Sequence, residues 1–382
     1  MPHAATGELV TCKITDEHAR WAKAELIEIL TPSANRITPR CPHFGECGGC
    51  HYQHLTYASQ LAIKTDIVRS QLQRIGKIED PPVREAIASP TPWHARNQIQ
   101  FHQNAEGRLG FHRAGSNVVM PVQTCLLPHE SIAELWPRAE LEYIPGLKRI
   151  AFRCDSADNT MIVFHAKKPA EIEMRMDTPA SVAWTSPEGT QILGGDDHLF
   201  YTVRKREFVV SPASFFQVNS ALMEKMVEVV FDFLQINSGE IVFDLYSGVG
   251  LFAAFAAEQG AAITAAEVSP SACEDFAINL DAFDHIELYQ AQTSVALEAI
   301  TKKPDAIILD PPRSGLSPEV RDALIRLSPS RMAYISCDTA TFARDALHLI
   351  EGGFKLHTIQ PIDLFPQTYH IELISFWEKP DV

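Results

Sequence analysis

Twelve residues, Ile241 to Phe252 (IVFDLYSGVGLF), restrict this chain more than any other segment: an apolar strand runs into a turn holding Gly248 and Gly250, then into a helix of small residues, AAFAAEQG. Glycine lets a backbone approach a ligand, and a helix N-terminus favours a carboxylate or phosphate. From Ser211 onward, helical stretches such as 218–235 alternate with short apolar strands at 241–245, 262–267, 306–309, 332–336 and 372–376. That alternation predicts an α/β, Rossmann-like domain whose mixed, mostly parallel sheet is covered by helices on both faces. A dinucleotide site would want a third glycine, which is missing. Strand 262–267 ends in Glu267, where an acid can accept ribose hydroxyls. The set Asp244, Tyr246, Gly248, Gly250 and Glu267 therefore suits S-adenosylmethionine as well as a nucleotide.

Strand 306–309 delivers Asp310-Pro311-Pro312-Arg313, whose prolines fix the backbone just past the sheet edge and aim the Asp into the crevice at the strand ends. The segment resembles the Asp/Asn-Pro-Pro loop of methyltransferases that act on nucleobases. Arg313 stands where amine-methylating enzymes carry a stacking aromatic, which argues against methylation at nitrogen. Ser336-Cys337-Asp338 reaches the same edge, and Glu372 opens the last strand. Position 5 of uracil is too weak a nucleophile to attack a methyl sulfonium. A thiolate must first add to C6, and a base must later remove the C5 proton. Cys337 suits the first role and Glu372 the second, although a lone Cys at a strand end is commonly a small buried hydrophobe.

The N-terminal part has a different character. Cys41, Cys47 and Cys50 crowd into CPHFGECGGC, and Cys125 is the natural fourth thiol. Four thiolates hold zinc or an iron–sulfur cluster, and His43, His51 and His54 keep a mixed zinc site open. Eight cysteines in 382 residues are too few for a disulfide scaffold; Cys12, Cys154 and Cys273 read as packing residues. Residues 57–75 are spaced as a helix ending at Gly76, and 93–206 as short strands between turns. Residues 9–14 and 22–30 alternate like two strands of a small antiparallel unit, which cannot bury a core alone.

A formal net charge of −15 argues against holding nucleic acid by bulk charge, yet residues 35–130 carry +3 and seven of the fifteen histidines. RNA contact is expected there, on Arg96, Asn97, Phe101, Arg108 and Phe111, which alternate polar and aromatic groups as readers of unpaired bases do, with Arg313 beside the site.

Over nearly its whole length the chain resembles the S-adenosylmethionine-dependent uracil-C5 RNA methyltransferases. Ser214-Phe-Phe-Gln217-Val-Asn219 is similar to the family's SFFQxN segment, Asp244–Gly250 to its cofactor loop, Asp310–Arg313 to the next motif, and Ser336-Cys337 and Phe365–Glu372 to its nucleophile and base motifs. The resemblance implies a class I methyltransferase domain at 211–382 that holds the cofactor through Gln217, the loop residues, Glu267 and Asp310. The C-x5-CGGC spacing with a distant fourth Cys resembles the ribosomal RNA branch. That implies a β-rich central domain at 35–210 with a [4Fe-4S] cluster on Cys41, Cys47, Cys50 and Cys125, and 23S ribosomal RNA as substrate ahead of transfer RNA. Residues 1–34 resemble the later half of a TRAM module, a partial β-barrel whose earlier half either precedes Met1 or is reduced. Three positions depart from the family: Ser247 for Cys, Asp338 for Asn, and Ala291-Gln292 for Gly-Asp. Ser247 is expected to be harmless. Asp338 is expected to raise the pKa of Cys337 unless a cation compensates.

Cys337 can reach C6 only if the uridine is flipped out of its stack. No apolar run is long enough to span a bilayer, and the start lacks the order of a signal peptide, so a cytoplasmic monomer acting on RNA, with no membrane partner, is expected.

Overall fold

The computed structural model describes residues 1–168, 174–175 and 178–380. Its C-terminal half is built on a seven-stranded sheet in the order Ile286–Gln290, Ala262–Glu267, Ile241–Leu245, Ala306–Leu309, Arg331–Ser336, Glu372–Glu378, Lys355–Ile362. The first five strands are mutually parallel, and Glu372–Glu378 is antiparallel to both of its neighbours. This is the expected Rossmann-like methyltransferase sheet with one reversed strand. The strands at 241–245, 262–267 and 306–309 have the bounds read from the apolar pattern.

Successive side chains of a strand face opposite ways. Val242, Ile308, Ala333 and Ile335 enter one core with helices Ser220–Leu234, Leu251–Glu258 and Pro270–Asn279. Phe243, Leu245, Ile307, Leu309, Met332 and Tyr334 enter a second core with Pro318–Leu327 and Thr339–Glu351. Strands buried on both faces read as continuous apolar runs. The edge strands Ile286–Gln290 and Lys355–Ile362, broken by polar residues, do not.

Helix Tyr57–Arg74 also walls this sheet, since its Val68 and Leu72 join the core of Phe342 and Ala343. It stops before Gly76, where a Cβ would sit 2.8 Å from the Leu72 carbonyl oxygen. The segment that follows adds bridges Val83↔Ile359 and Ile87↔Ile362 along the sheet edge. A second seven-stranded sheet runs Gly189–Gly194, Ser181–Ser186, Thr160–Ala166, Leu147–Cys154, Gln98–Gln103, Leu109–His112, Val119–Pro121. It encloses a core of Ile99, Phe101, Trp136, Ile150, Phe152, Phe164 and Trp184.

Among the described residues, Leu9–His18 and Trp21–Thr31 pair only with each other. The partial barrel expected here is thus a hairpin, longer than its alternating pattern, anchored where both carboxylate oxygens of Glu8 accept from Arg36. Leu9, Ile14, Trp21 and Ile27 are exposed on it. Cys12, expected to pack, is exposed as well, because an isolated hairpin has no interior to receive it.

Candidate active site

The sheet order changes direction between Ile241–Leu245 and Ala306–Leu309, so a crevice forms beyond the carboxyl ends of those strands. The loops that line it are held from within. Asp244 is fully buried; its Oδ2 accepts from Ala253 N at 2.9 Å in the first turn of the next helix, and its Oδ1 is buried without a partner. Burial pushes its carboxyl up to about 7. Tyr246 turns the chain at φ 65° and donates its backbone N–H to Ala266 O.

The two glycines do different work. A Cβ on Gly248 would meet nothing within 4 Å, so the loop is open there, and Gly248 N donates to Glu267 Oε2 at 3.0 Å. A Cβ on Gly250 would lie 2.5 Å from Leu280 Cδ1 and 2.8 Å from Phe276 Cδ2. Helix packing by itself therefore requires glycine at position 250. Glu267 Oε1 accepts from Val268 N and Ser269 N, both at 2.7 Å.

Across the crevice, Gln217 Nε2 donates to Asp310 Oδ2 at 3.3 Å. Burial pushes Asp310 up to about 7, with the Gln217 hydrogen bond acting the other way. The open backbone at Gly248, the acid at Glu267 and the unpaired Asp244 oxygen fit S-adenosylmethionine, with its amino-acid end and ribose hydroxyls to be held.

Strand Arg331–Ser336 brings Cys337 to the same edge. Ser336 pairs with Leu373 in the antiparallel ladder, so Glu372, at the start of the reversed strand, arrives where the parallel strands end. Burial pushes the Cys337 thiol up to about 11, with the charges of Glu372 and Asp310 adding to this and exposed Arg313 opposing it. Glu372 lies well above the usual carboxylate range through burial and then Asp310, again opposed by Arg313. Asp310 and Arg313 thus act in opposite directions on Cys337 and Glu372 at one sheet edge.

Asp338 departs from expectation. Its carboxylate caps helix Thr339–Glu351, accepting from Ala340 N (3.1 Å) and Thr341 N (2.8 Å), and it is not among the groups that shift Cys337. Arg313 supplies the compensating cation. Ser247 is less innocent than its size suggests, because its Oγ is buried without a partner where the sulfur of a Cys would carry a smaller penalty. The pattern also gave no role to His370, two residues before Glu372, whose imidazole is pushed down to about 4 by burial and then Arg313. Exposed Tyr369 beside it packs against His51, with ring centres 4.2 Å apart and planes tilted by 56°.

The expected RNA surface is largely not a surface. Strand Gln98–Gln103 is covered on one face, and its alternate residues Ile99 and Phe101 point into the core, Phe101 packing on Phe111 (4.8 Å) and Trp136 (4.7 Å). Asn97 is buried and donates to Gln217 O at 2.9 Å. Arg96 has buried Nε and Nη2 atoms without acceptors. Phe111 is half-buried, whereas Arg108 and Arg313 remain exposed.

Cys41, Cys47, Cys50 and Cys125 all line one cavity of about 340 Å³, with Arg96, Tyr369 and His370 on its wall. Among the described residues, no three His, Cys, Asp or Glu side chains are arranged to hold a metal ion. The thiols therefore surround a volume and do not converge on a point. Burial pushes Cys50 up to about 11 and Cys125 up to about 12. The cysteine loop also clasps the segment before Glu372: His51 N and Tyr52 N both donate to Gln367 O, at 2.8 and 3.1 Å.

Residues 196–379 match the family model described as tRNA (Uracil-5-)-methyltransferase. A protein of Aquifex aeolicus named as an uncharacterized RNA methyltransferase is 36% identical, over 99% of this chain and 92% of its own. A Streptomyces coelicolor protein of the same name is 31% identical, over 98% of this chain and 86% of its own. In fold, the chain is similar to the Pyrococcus abyssi tRNA (uracil-54, C5)-methyltransferase crystallised with S-adenosyl-L-homocysteine, with TM-score 0.74 and 23% identity over 98% of this chain and 94% of that one. With this site geometry and these full-length relatives, the chain belongs to the S-adenosylmethionine-dependent uracil-5 RNA methyltransferase family.

Proposed function

We propose that the protein methylates C5 of a flipped uridine through a covalent Cys337–C6 adduct. The observation that carries this is the meeting of Cys337 and Glu372 at the crevice edge through the reversed strand. Cys337 loses its proton to solvent, with Arg313 favouring the thiolate, and its sulfur bonds to C6 while the C5=C6 electron pair moves toward the C4 carbonyl. S-adenosylmethionine, which Gln217, Gly248, Glu267 and Asp310 would hold, would supply the methyl carbon that C5 then attacks, the methyl–sulfur bond breaking so that S-adenosylhomocysteine leaves. Glu372 then takes the C5 proton, the C5=C6 bond re-forms, and the sulfur leaves C6. The raised pKa of Glu372 suits it to accept a proton from carbon.

A [4Fe-4S] cluster on Cys41, Cys47, Cys50 and Cys125 fits the cavity better than zinc. One zinc ion draws its sulfurs to about 2.3 Å, whereas a cluster gives each cysteine its own iron and spreads the four around a volume. Its place against Gln367 supports a structural role. The cysteine set supports large-subunit ribosomal RNA as the substrate. Transfer RNA is the second reading, supported by the names of the matching family model and of the Pyrococcus protein. The test is methyl transfer from labelled S-adenosylmethionine to unmodified ribosomal and transfer RNA, with the product mapped by mass spectrometry. Label in 5-methyluridine of ribosomal RNA supports the first reading and label in transfer RNA alone the second. Label on neither, with cofactor bound, would overturn the enzymatic reading.

A further inference from the structure

Arg96 stands where three parts of the molecule meet. Its backbone is joined to the segment after Cys125: Arg96 N donates to Leu127 O at 3.1 Å, and His129 N donates to Arg96 O at 2.7 Å. The next residue, Asn97, donates its backbone N–H to Val218 O at 2.8 Å and its side chain to Gln217 O at 2.9 Å. The Arg96 side chain lines the cavity shared by the four cysteines. Its guanidinium carbon lies 5.6 Å from the centre of the Phe365 ring. Phe365 lies in the loop that runs to Glu372, and Lys64 grips that loop by donating to Phe365 O at 3.0 Å.

Nε and Nη2 of this guanidinium are buried with nothing to accept their hydrogens. A buried cation with free N–H groups is costly unless an anion faces it. The acidic groups that act on it are Cys50, Cys125 and Asp363; Asp363 is paired with Lys64 through Oδ1, and no hydrogen bond joins its other oxygen to Nε or Nη2 of Arg96. A cluster held by the four cysteines in this same cavity would supply an anion on the side that Arg96 lines.

We infer that Arg96 is a positioning residue: it pairs with the thiolate-ligated cluster and, through Phe365, holds the loop that presents Glu372 to the C5 proton. This rests on the cluster reading above. It makes proton removal, and not formation of the adduct, the step that depends on the cluster. A neighbour that hydrogen-bonds a ligand shell is commonly worth about 10- to 100-fold in affinity or activity.

The test uses the full chain purified without oxygen, as wild type, Arg96→Met, Arg96→Lys and Phe365→Leu. Iron and acid-labile sulfide, decay of the cluster's visible absorption in air, and covalent protein–RNA adduct on ordinary uridine RNA are read for each. Arg96→Met is expected to shorten the cluster lifetime by about 10-fold or more and to accumulate methylated adduct while product release falls. A general structural lesion would lower adduct and product together. Arg96→Lys should restore lifetime toward wild type, and Phe365→Leu should accumulate adduct with the lifetime unchanged. Unchanged lifetime and turnover in Arg96→Met overturn the inference. If Arg96→Met does not fold, Phe365→Leu decides: no accumulated adduct there, with product release as in wild type, overturns it. Wild type without iron and sulfide removes the cluster reading itself, which separates the two failures.

Discussion

Ser336 pairs with Leu373 across the antiparallel ladder, and this single register point places Cys337 and Glu372 on one edge of the sheet. Had the last strand run parallel, its first residue would lie at the opposite end. The reversal is therefore as necessary to the proposed chemistry as the two side chains.

Replacing Cys337 by Ala should lower methyl transfer by at least about 1000-fold and abolish the adduct with 5-fluorouridine RNA while S-adenosylmethionine still binds. Glu372→Gln should instead form the methylated adduct on ordinary RNA and fail to release it, with turnover down about 100- to 10,000-fold. Denaturing gels of labelled RNA separate the two, and a Glu372→Gln enzyme that releases product normally would remove Glu372 as the base.

The thiol of Cys337 is pushed up to about 11 and Glu372 also lies high, and both must lose a proton to act. Activity should therefore rise with pH, approaching tenfold per unit while the thiol limits the rate. Arg313 lowers both groups, so Arg313→Met should move the profile to higher pH. A profile of kcat/KM from pH 6 to 10 checks this, and a flat line for both proteins would contradict it.

Asp338 should matter to helix Thr339–Glu351 and not to the thiol. Asp338→Ala is expected to cost about 1 kcal/mol of stability in denaturant, Asp338→Asn much less, since Asn also caps. Neither should shift the pH profile of kcat/KM.

Lys64 and Asp363 form a buried ion pair between helix Tyr57–Arg74 and the loop before Glu372. Removing one partner strands the other charge, so Lys64→Met should cost about 3–5 kcal/mol, and adding Asp363→Leu should recover much of it. Urea unfolding of the single and double variants gives the coupling directly.

Phe101→Ala should act as a core deletion worth about 3–5 kcal/mol. Titration of the folded variant with RNA should show affinity near wild type, and Arg108→Ala, with an exposed side chain, should lose affinity instead.

Much of the catalytic half was legible. The turn with Gly248 and Gly250, the acid at Glu267, the Asp310 loop and the central strands all rest on local features: apolar period, proline and glycine dihedrals, and residue spacing. The alternation at 96–101 is equally visible but does not place its aromatic rings, because period two says that two faces differ and not which one is covered. The cap made by Asp338 and the compensating charge of Arg313 were hidden for a related reason, since a carboxylate's effect depends on what it hydrogen-bonds.

Sequence alone therefore determined five of the seven strands of the catalytic sheet, the residues that end them at the crevice, and the four thiols of the N-terminal part. Tertiary structure decided which strand is reversed, which aromatic rings are buried, and that the cysteine loop grips the segment leading to Glu372 through Gln367. The physical reason is range. Backbone preference and side-chain period act within a few residues, whereas direction, burial and charge compensation arise from contacts such as Lys64 to Asp363, which lie 299 residues apart in the chain.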